Sequence, residues 1–448
     1  MRIKWGDRLV YACFVAHFLM TPSLFTIIFL TALLLSTGLR LWLNARQMRH
    51  VLACRAQVPV QFAPYIAAAD HARAADYTAA KGRLGQVEIL IEAALLLVFT
   101  LGGLLYAIDG GAHSWLGNGY AHDLALFAVV GLVGFAVGLP CGLYRTFRLE
   151  AAFGFNKMTP RLWLADLLKG AALAIVIGGP LLLAVLWLMQ QMGGRWWLYV
   201  WLFWMGFNLL ALVLYPTVIA PLFNKFSPLA DASLKRRIEA LLTRCGFASS
   251  GLFVMDGSRR SAHGNAYFTG FGRAKRIVFF DTLLEKLAPQ EIEAVLAHEL
   301  GHYHHKHVIK RIALLAVMSF AMLWLLGQVI DQPWFYAGLN VIKVGAGGTA
   351  ALVDASAAGH TAMGLLLFSM VLPVFLFPLS PLASALSRRD EYQADAYAAK
   401  QTSADDLVTA LVKLYRDNAA TLTPDPVYSL FHDSHPPASQ RIAHLQSP

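Results

Sequence analysis

Seven apolar runs, each close to the ~20 residues that carry a helix across a bilayer core, constrain this chain more than anything else in it. They lie at about Pro22 to Leu43, Ile89 to Ile108, Leu124 to Leu143, Leu167 to Met189, Trp197 to Leu222, Ile309 to Ile330 and Met363 to Leu386. Lipid offers backbone polar groups no water, so runs of this length close their own hydrogen bonds as helices. The expected fold class is mainly α and integral membrane, with about seven transmembrane helices. Composition agrees: 57% of the residues are hydrophobic and 14% charged, against roughly a quarter charged in soluble domains. No small-residue cleavage site follows the first run, so it is expected to stay as an anchor.

Charge sets the orientation. Arg46, Arg49, Arg55, Arg73, Lys81 and Arg83 follow span one. Arg145, Arg148, Lys157 and Arg161 follow span three, and Lys225, Lys235, Arg236 and Arg237 follow span five. The other loops carry little beyond Arg195 and Lys343. The positive-inside rule then puts the loops after odd spans, and the C-terminus, in the cytoplasm. The N-terminus faces out, against the mild opposition of Arg2, Lys4 and Arg8. The net charge of +10 belongs to loops near anionic membrane lipid, and no basic run interleaved with aromatics suggests nucleic acid.

Two hydrophilic stretches interrupt the membrane pattern, dividing the chain into 1–223 (five spans), 224–307, 308–386 (two spans and an outer loop) and 387–448. The first stretch predicts a helix from Ala232 to Cys245, then strands at Leu252 to Met255, Ala266 to Thr269 and Ile277 to Phe280. A small sheet here offers a peptide an edge to pair with. The glycine-rich outer loop, 344–349, reads as a flexible connection. Asn208 inside span five is expected to hydrogen-bond a neighbouring helix. Glu88 and Glu92, one turn apart near the start of span two, line either an internal chamber or the membrane interface.

Between the strands and span six stands His298-Glu299-Leu300-Gly301-His302. Pro289 suits the first position of a helix leading into it. On that helix His298 and His302 share a face and can reach one metal ion. Glu299, beside the first ligand, can take a proton from an attacking water without being a ligand itself. A catalytic zinc usually has a third protein ligand. Glu391 and Asp395, one helical turn apart, offer it: with Glu391 on the metal, Asp395 can accept the free ring N–H of a ligand histidine. The rival reading is a solvated acidic helix paired with Arg388 and Arg389. His304, His305 and His307 read as a basic helix end at the interface rather than a second metal site.

With Glu391-Tyr392-Gln393-Ala394-Asp395, the H-E-L-G-H sequence is similar to the gluzincin pattern of thermolysin-type zinc peptidases. The words around it resemble the type I CAAX prenyl proteases: Gly154-Phe155-Asn156-Lys157, the run Ile219 to Phe226, Asn265-Ala266-Tyr267-Phe268, Phe280-Asp281-Thr282-Leu283, and Ser434-His435-Pro436-Pro437 with Arg441. The resemblance implies seven transmembrane helices enclosing a large chamber, and a small α+β peptidase domain whose zinc site faces into it. It implies one Zn2+ per chain on His298, His302 and Glu391, with Glu299 as general base. It further implies that Asn265 opens an edge strand holding the substrate backbone, that His435 hydrogen-bonds the oxyanion, and that Arg441 orients the site on the substrate side. Read without the family, Ser434 to Pro437 serves equally well as a turn before a helix, with His435 on the surface.

The implied activity removes the last three residues of a prenylated C-a-a-X protein. The implied location is the inner membrane of a bacterium or the endoplasmic reticulum of a eukaryote. The resemblance extends more weakly to heat-shock membrane peptidases that clear damaged membrane proteins, although these have fewer spans. A non-catalytic metal transporter would need facing polar ligands within several spans, and the sequence offers mainly isolated ones.

Overall fold

The computed structural model describes residues 20–269, 276–342 and 357–446, with the side chains of 269 and 357–360 outside the description. Arg2, Lys4, Arg8 and the 344–349 loop therefore lie outside the described residues. Among the described residues six helices are long and apolar enough to cross a membrane: Pro22–Ala53, Tyr120–Glu150, Pro160–Gln191, Gly193–Phe223, His307–Val329 and Thr361–Gln401. A seventh span is the bent pair Ala68–Phe99 and Leu104–Leu116, whose axes differ by 53°. The bend falls where Gly103 takes φ +76, a left-handed conformation that a glycine adopts without strain. Two spans open on the same device, a threonine followed by proline. Leu24 N–H donates to Thr21 Oγ1 and Leu162 N–H to Thr159 Oγ1, each at 3.2 Å.

The spans do not pack into a solid bundle. None of the most apolar stretch of Gly193–Phe223 is buried, and only 6% of that of His307–Val329. These two helices meet along one seam, where Trp196, Val200 and Leu326 are buried and Trp201 Nε1 donates to the Ala316 carbonyl at 2.9 Å, and leave the rest of their apolar surface to lipid and the chamber. Solid packing is found where Phe25, Phe29 and Leu33 meet Phe99, Leu126, Leu186 and Leu367. Glu88 and Glu92 each meet a cation from another span, Glu88 with Arg145 Nη2 at 2.5 Å and Glu92 with Arg40 Nη2 at 2.7 Å. Arg40 and Glu92 line a cavity of about 500 Å³ whose other walls are mostly apolar, including Leu33, Phe99 and Val374. Asn208 Nδ2 donates to the carbonyl of Trp204 in its own helix, in place of the bond expected between helices.

The hydrophilic stretch folds around a four-stranded sheet: β1 (Phe226–Pro228), β2 (Leu252–Met255), β3 (Ala266–Thr269) and β4 (Arg276–Phe280), in the order β1-β2-β4-β3. Strands β2 and β4 run parallel and the other pairs antiparallel. β1 is additional to the three strands expected: it is short and ends in proline, which an edge position tolerates. The helix Ala232–Arg244 buries Leu234, Ile238, Leu241 and Leu242, an i, i+4, i+7, i+8 stripe, against Ile277 and Phe279 of the sheet and Ile292, Leu296 and Leu300 of the helix Pro289–His304. Arg260 clamps this unit to the membrane helices. It grips both carboxylate oxygens of Asp166 at 2.8 and 2.9 Å and Asn224 Oδ1 at 2.9 Å.

Candidate metal centre

Helix Pro289–His304 begins where expected, with Pro289 in its first turn, and Glu291 Oε2 accepts from Ala288 N–H at 2.7 Å. Its buried Ile292, Leu296 and Leu300 hold one face against the sheet, leaving His298 and His302 to another. Their Nε2 atoms stand 3.2 Å apart. Glu391, from the helix Ser380–Gln401, brings Oε2 to 3.3 Å from His298 Nε2 and Oε1 to 3.4 Å from His302 Nε2. Glu391 is 2% exposed, so the rival picture of a solvated acidic helix does not describe it.

Gly301 makes this convergence possible. A Cβ there would lie 2.8 Å from Ala394 Cα and 2.9 Å from the Ala394 carbonyl oxygen, both backbone atoms that cannot yield. The two helices touch at this point, one turn from Glu391. Gly301→Ala is therefore expected to push them apart and lower kcat/KM by about 10²-fold, the usual cost of a ~1 Å misplacement. The check is steady-state kinetics alongside metal content.

The far ring nitrogens are both engaged. His298 Nδ1 lies 2.8 Å from Asp395 Oδ1, and Asp395 is gripped from behind by Arg441, Nε at 2.8 Å and Nη2 at 2.5 Å. His302 Nδ1 lies 2.9 Å from His307 Nδ1. Both rings thus turn their Nε2 edges on one point, where Glu391 Oε2 is buried without a hydrogen-bond donor. Two imidazole nitrogens and a carboxylate, all within 4.8 Å of one another, are the donor set of a divalent metal site. The pocket takes one positive charge and resists a second. Burial works to lower the pKa of His298, yet the neighbouring carboxylates of Asp395 and Glu391 outweigh it and raise it to about 9. Burial, and then His298 itself, push His302 down to about 3. Desolvation raises the Glu299 carboxyl, with His298 pulling the other way.

Two family models cover the chain. CAAX prenyl protease N-terminal, five membrane helices, matches residues 47–225, and Peptidase family M48 matches 228–448. CAAX prenyl protease 1 of Saccharomyces cerevisiae is 36% identical over 72% of this chain and 72% of its own length. The chain belongs to the type I CAAX prenyl proteases of peptidase family M48.

Among other members of this family, the Homo sapiens CAAX prenyl protease 1 homolog is 31% identical, covering 80% of this chain and 81% of its own. The crystal structure of S. mikatae Ste24p matches at 32% identity with a TM-score of 0.88, over 94% of this chain and 99% of that one. This CAAX protease is accordingly a multi-pass membrane metalloendopeptidase, and its family implies a metal at the site the geometry marks out.

The remaining candidates are distributed around that point. His435 Nε2 is 3.4 Å from Glu391 Oε1, its side chain is 58% exposed, and its Nδ1 lies 3.0 Å from Ser434 Oγ. Arg441 is 5% exposed, bonded to Asp395, and has Nη1 4.0 Å from Glu391 Oε2, so its guanidinium is committed to the two carboxylates rather than open to a substrate. Asn265 is exposed at the start of β3, an edge of the sheet, and its carbonyl accepts from Phe280 N–H at 3.0 Å. His307 corrects an expectation. It is 1% exposed and bonded to His302, whereas His304 is exposed and stacks on Tyr397 at 4.7 Å. Arg260 carried no signal in the sequence, because Asp166 is far from it along the chain.

Proposed function

We propose that this protein is a zinc endopeptidase that cuts near the C-terminus of prenylated substrates, with its active site on the cytoplasmic side of the membrane. The observation that carries the reading is the meeting of His298, His302 and Glu391 at one point, with Glu299 next to His298 in the chain and His435 Nε2 3.4 Å from Glu391 Oε1. Histidine, histidine and carboxylate suit zinc, which when bound supplies Lewis-acid chemistry that polarises a carbonyl and acidifies water.

The chain's own residues account for the rest. Glu299 takes a proton from the attacking water as its oxygen bonds to the scissile carbonyl carbon. Negative charge moves to the carbonyl oxygen. With the Ser434 hydroxyl donating to His435 Nδ1, the His435 proton sits on Nε2 and can be donated to that oxyanion. Glu299 then passes its proton to the leaving nitrogen as the C–N bond breaks, giving a carboxylic acid and an amine, and the acid's proton moves to the amine to leave carboxylate and ammonium. The exposed edge of β3, entered at Asn265, offers backbone hydrogen bonds that hold an extended peptide. His435→Ala is expected to lower kcat by about 10²–10³-fold with KM little changed, the signature of a lost oxyanion donor.

Cytoplasmic placement rests on the basic loops. Arg46, near the end of Pro22–Ala53, bonds Asp425 Oδ1 at 2.9 Å, and Asp166, near the start of Pro160–Gln191, is held by Arg260 at 2.8 Å. The basic loops and the C-terminal segment of the site thus share one end of the molecule, which supports the inside assignment. The membrane chamber suits a substrate with a lipid anchor, because the chain need not leave an apolar environment. The deciding experiment compares one C-a-a-X peptide with and without farnesyl, reading the cut by mass. Release of a tripeptide, faster from the farnesylated form, is expected. Equal turnover of both would favour the broad-specificity membrane-protein protease instead.

A further inference from the structure

We propose that His307 is a positioning residue for the metal centre. It holds the ring of His302 through a relay that ends on Asp390, in place of the direct carboxylate that holds His298. The inference rests on the metal-centre reading above and adds a residue to it.

Lys306, between the two helices, adopts φ 57, a left-handed conformation that a lysine rarely takes. The chain turns there, and His307, first residue of the next helix, is 1% exposed although its neighbour Val308 is 51% exposed. Its Nδ1 lies 2.9 Å from His302 Nδ1. Its Nε2 lies 3.0 Å from Gln393 Oε1 and 3.4 Å from Asp390 Oδ1. In the neutral ring of His307 a carboxylate, which only accepts, draws the one proton to Nε2 and leaves Nδ1 a lone pair. That lone pair can take a hydrogen only from His302 Nδ1–H. The proton on His302 is thereby fixed on Nδ1, and its Nε2 is left free to face His298 Nε2 and Glu391.

The two ligand histidines are consequently oriented by different chemistry. His298 donates to an anion backed by a cation, Asp395 with Arg441. His302 donates to a neutral ring, and the nearest anion, Asp390, is one residue further out, with Arg311 Nε 4.0 Å beyond. An imidazole acceptor polarises its donor less than a carboxylate does. The relay therefore sets the orientation of His302 while leaving it the less electron-rich ligand of the pair. The spacing is legible once known: a histidine five residues beyond the second ligand.

The test uses full-length protein in detergent, stripped of metal and titrated with Zn2+ against a chromophoric chelator. His307→Gln keeps a polar group near Nε2 but leaves no acceptor where Nδ1 was, and is expected to weaken zinc binding about 10- to 100-fold. His307→Asn puts Oδ1 where Nδ1 was and is expected to recover most of that loss. Thermal melts of the metal-free proteins should be alike, which separates positioning from general damage. Parent-like zinc affinity in His307→Gln, or an equal loss in both variants, would overturn the relay. Failure of the parent itself to bind zinc would instead remove the metal-centre reading.

Discussion

Glu299→Gln is expected to keep its zinc and to lose about 10²–10⁴-fold in kcat, the range that a positioned acid–base group contributes. Its neighbours on the helix are a ligand, His298, and the buried Leu300, so an isosteric amide leaves the backbone and the packing unchanged. The amide can neither take a proton from water nor return one to the leaving nitrogen. Metal content measured beside single-turnover cleavage separates chemistry from binding. A variant that cleaved like the parent would remove Glu299 from the mechanism, and one that lost its zinc would mean that the carboxylate supports the site rather than the reaction.

Glu391→Ala should fail earlier, at the metal. The substitution takes away one of three donors that lie within 4.8 Å of one another and leaves His298, His302 and Arg441 facing one another without the carboxylate. Cleavage is expected to fall to background even in added zinc, whereas the parent stripped by chelator recovers on adding Zn2+. The contrast with Glu299→Gln is the informative part: one variant is loaded and inert, the other unloaded. Normal zinc uptake by Glu391→Ala would mean that another group supplies the third donor.

What was legible in the chain follows its physics. The spans could be read because a bilayer demands long unbroken apolar runs, and each expected run corresponds to an apolar helix or to the bent pair. The 53° break in the second was not read, since hydropathy averages over Thr100 to Gly103. Strand β1 was missed because three residues ending in Pro228 carry no alternation to detect. At the site, helical spacing alone put His298 beside His302 and Glu391 beside Asp395. Their meeting is tertiary, set by a glycine contact at Gly301 that no periodicity reveals. His307 was misread for a related reason. A histidine in a basic run next to a span resembles an interfacial residue, and only the turn at Lys306 shows that its ring is folded inward.

The helix Thr361–Gln401 is the last apolar crossing, and Glu391, Asp395, His435 and Arg441 all come from its end or beyond. In the order of synthesis those four side chains follow the two histidines and all the earlier crossings. On the proposed reading the site is therefore completed only as the C-terminal segment is made, and a copy that ends before Glu391 is expected to cut nothing.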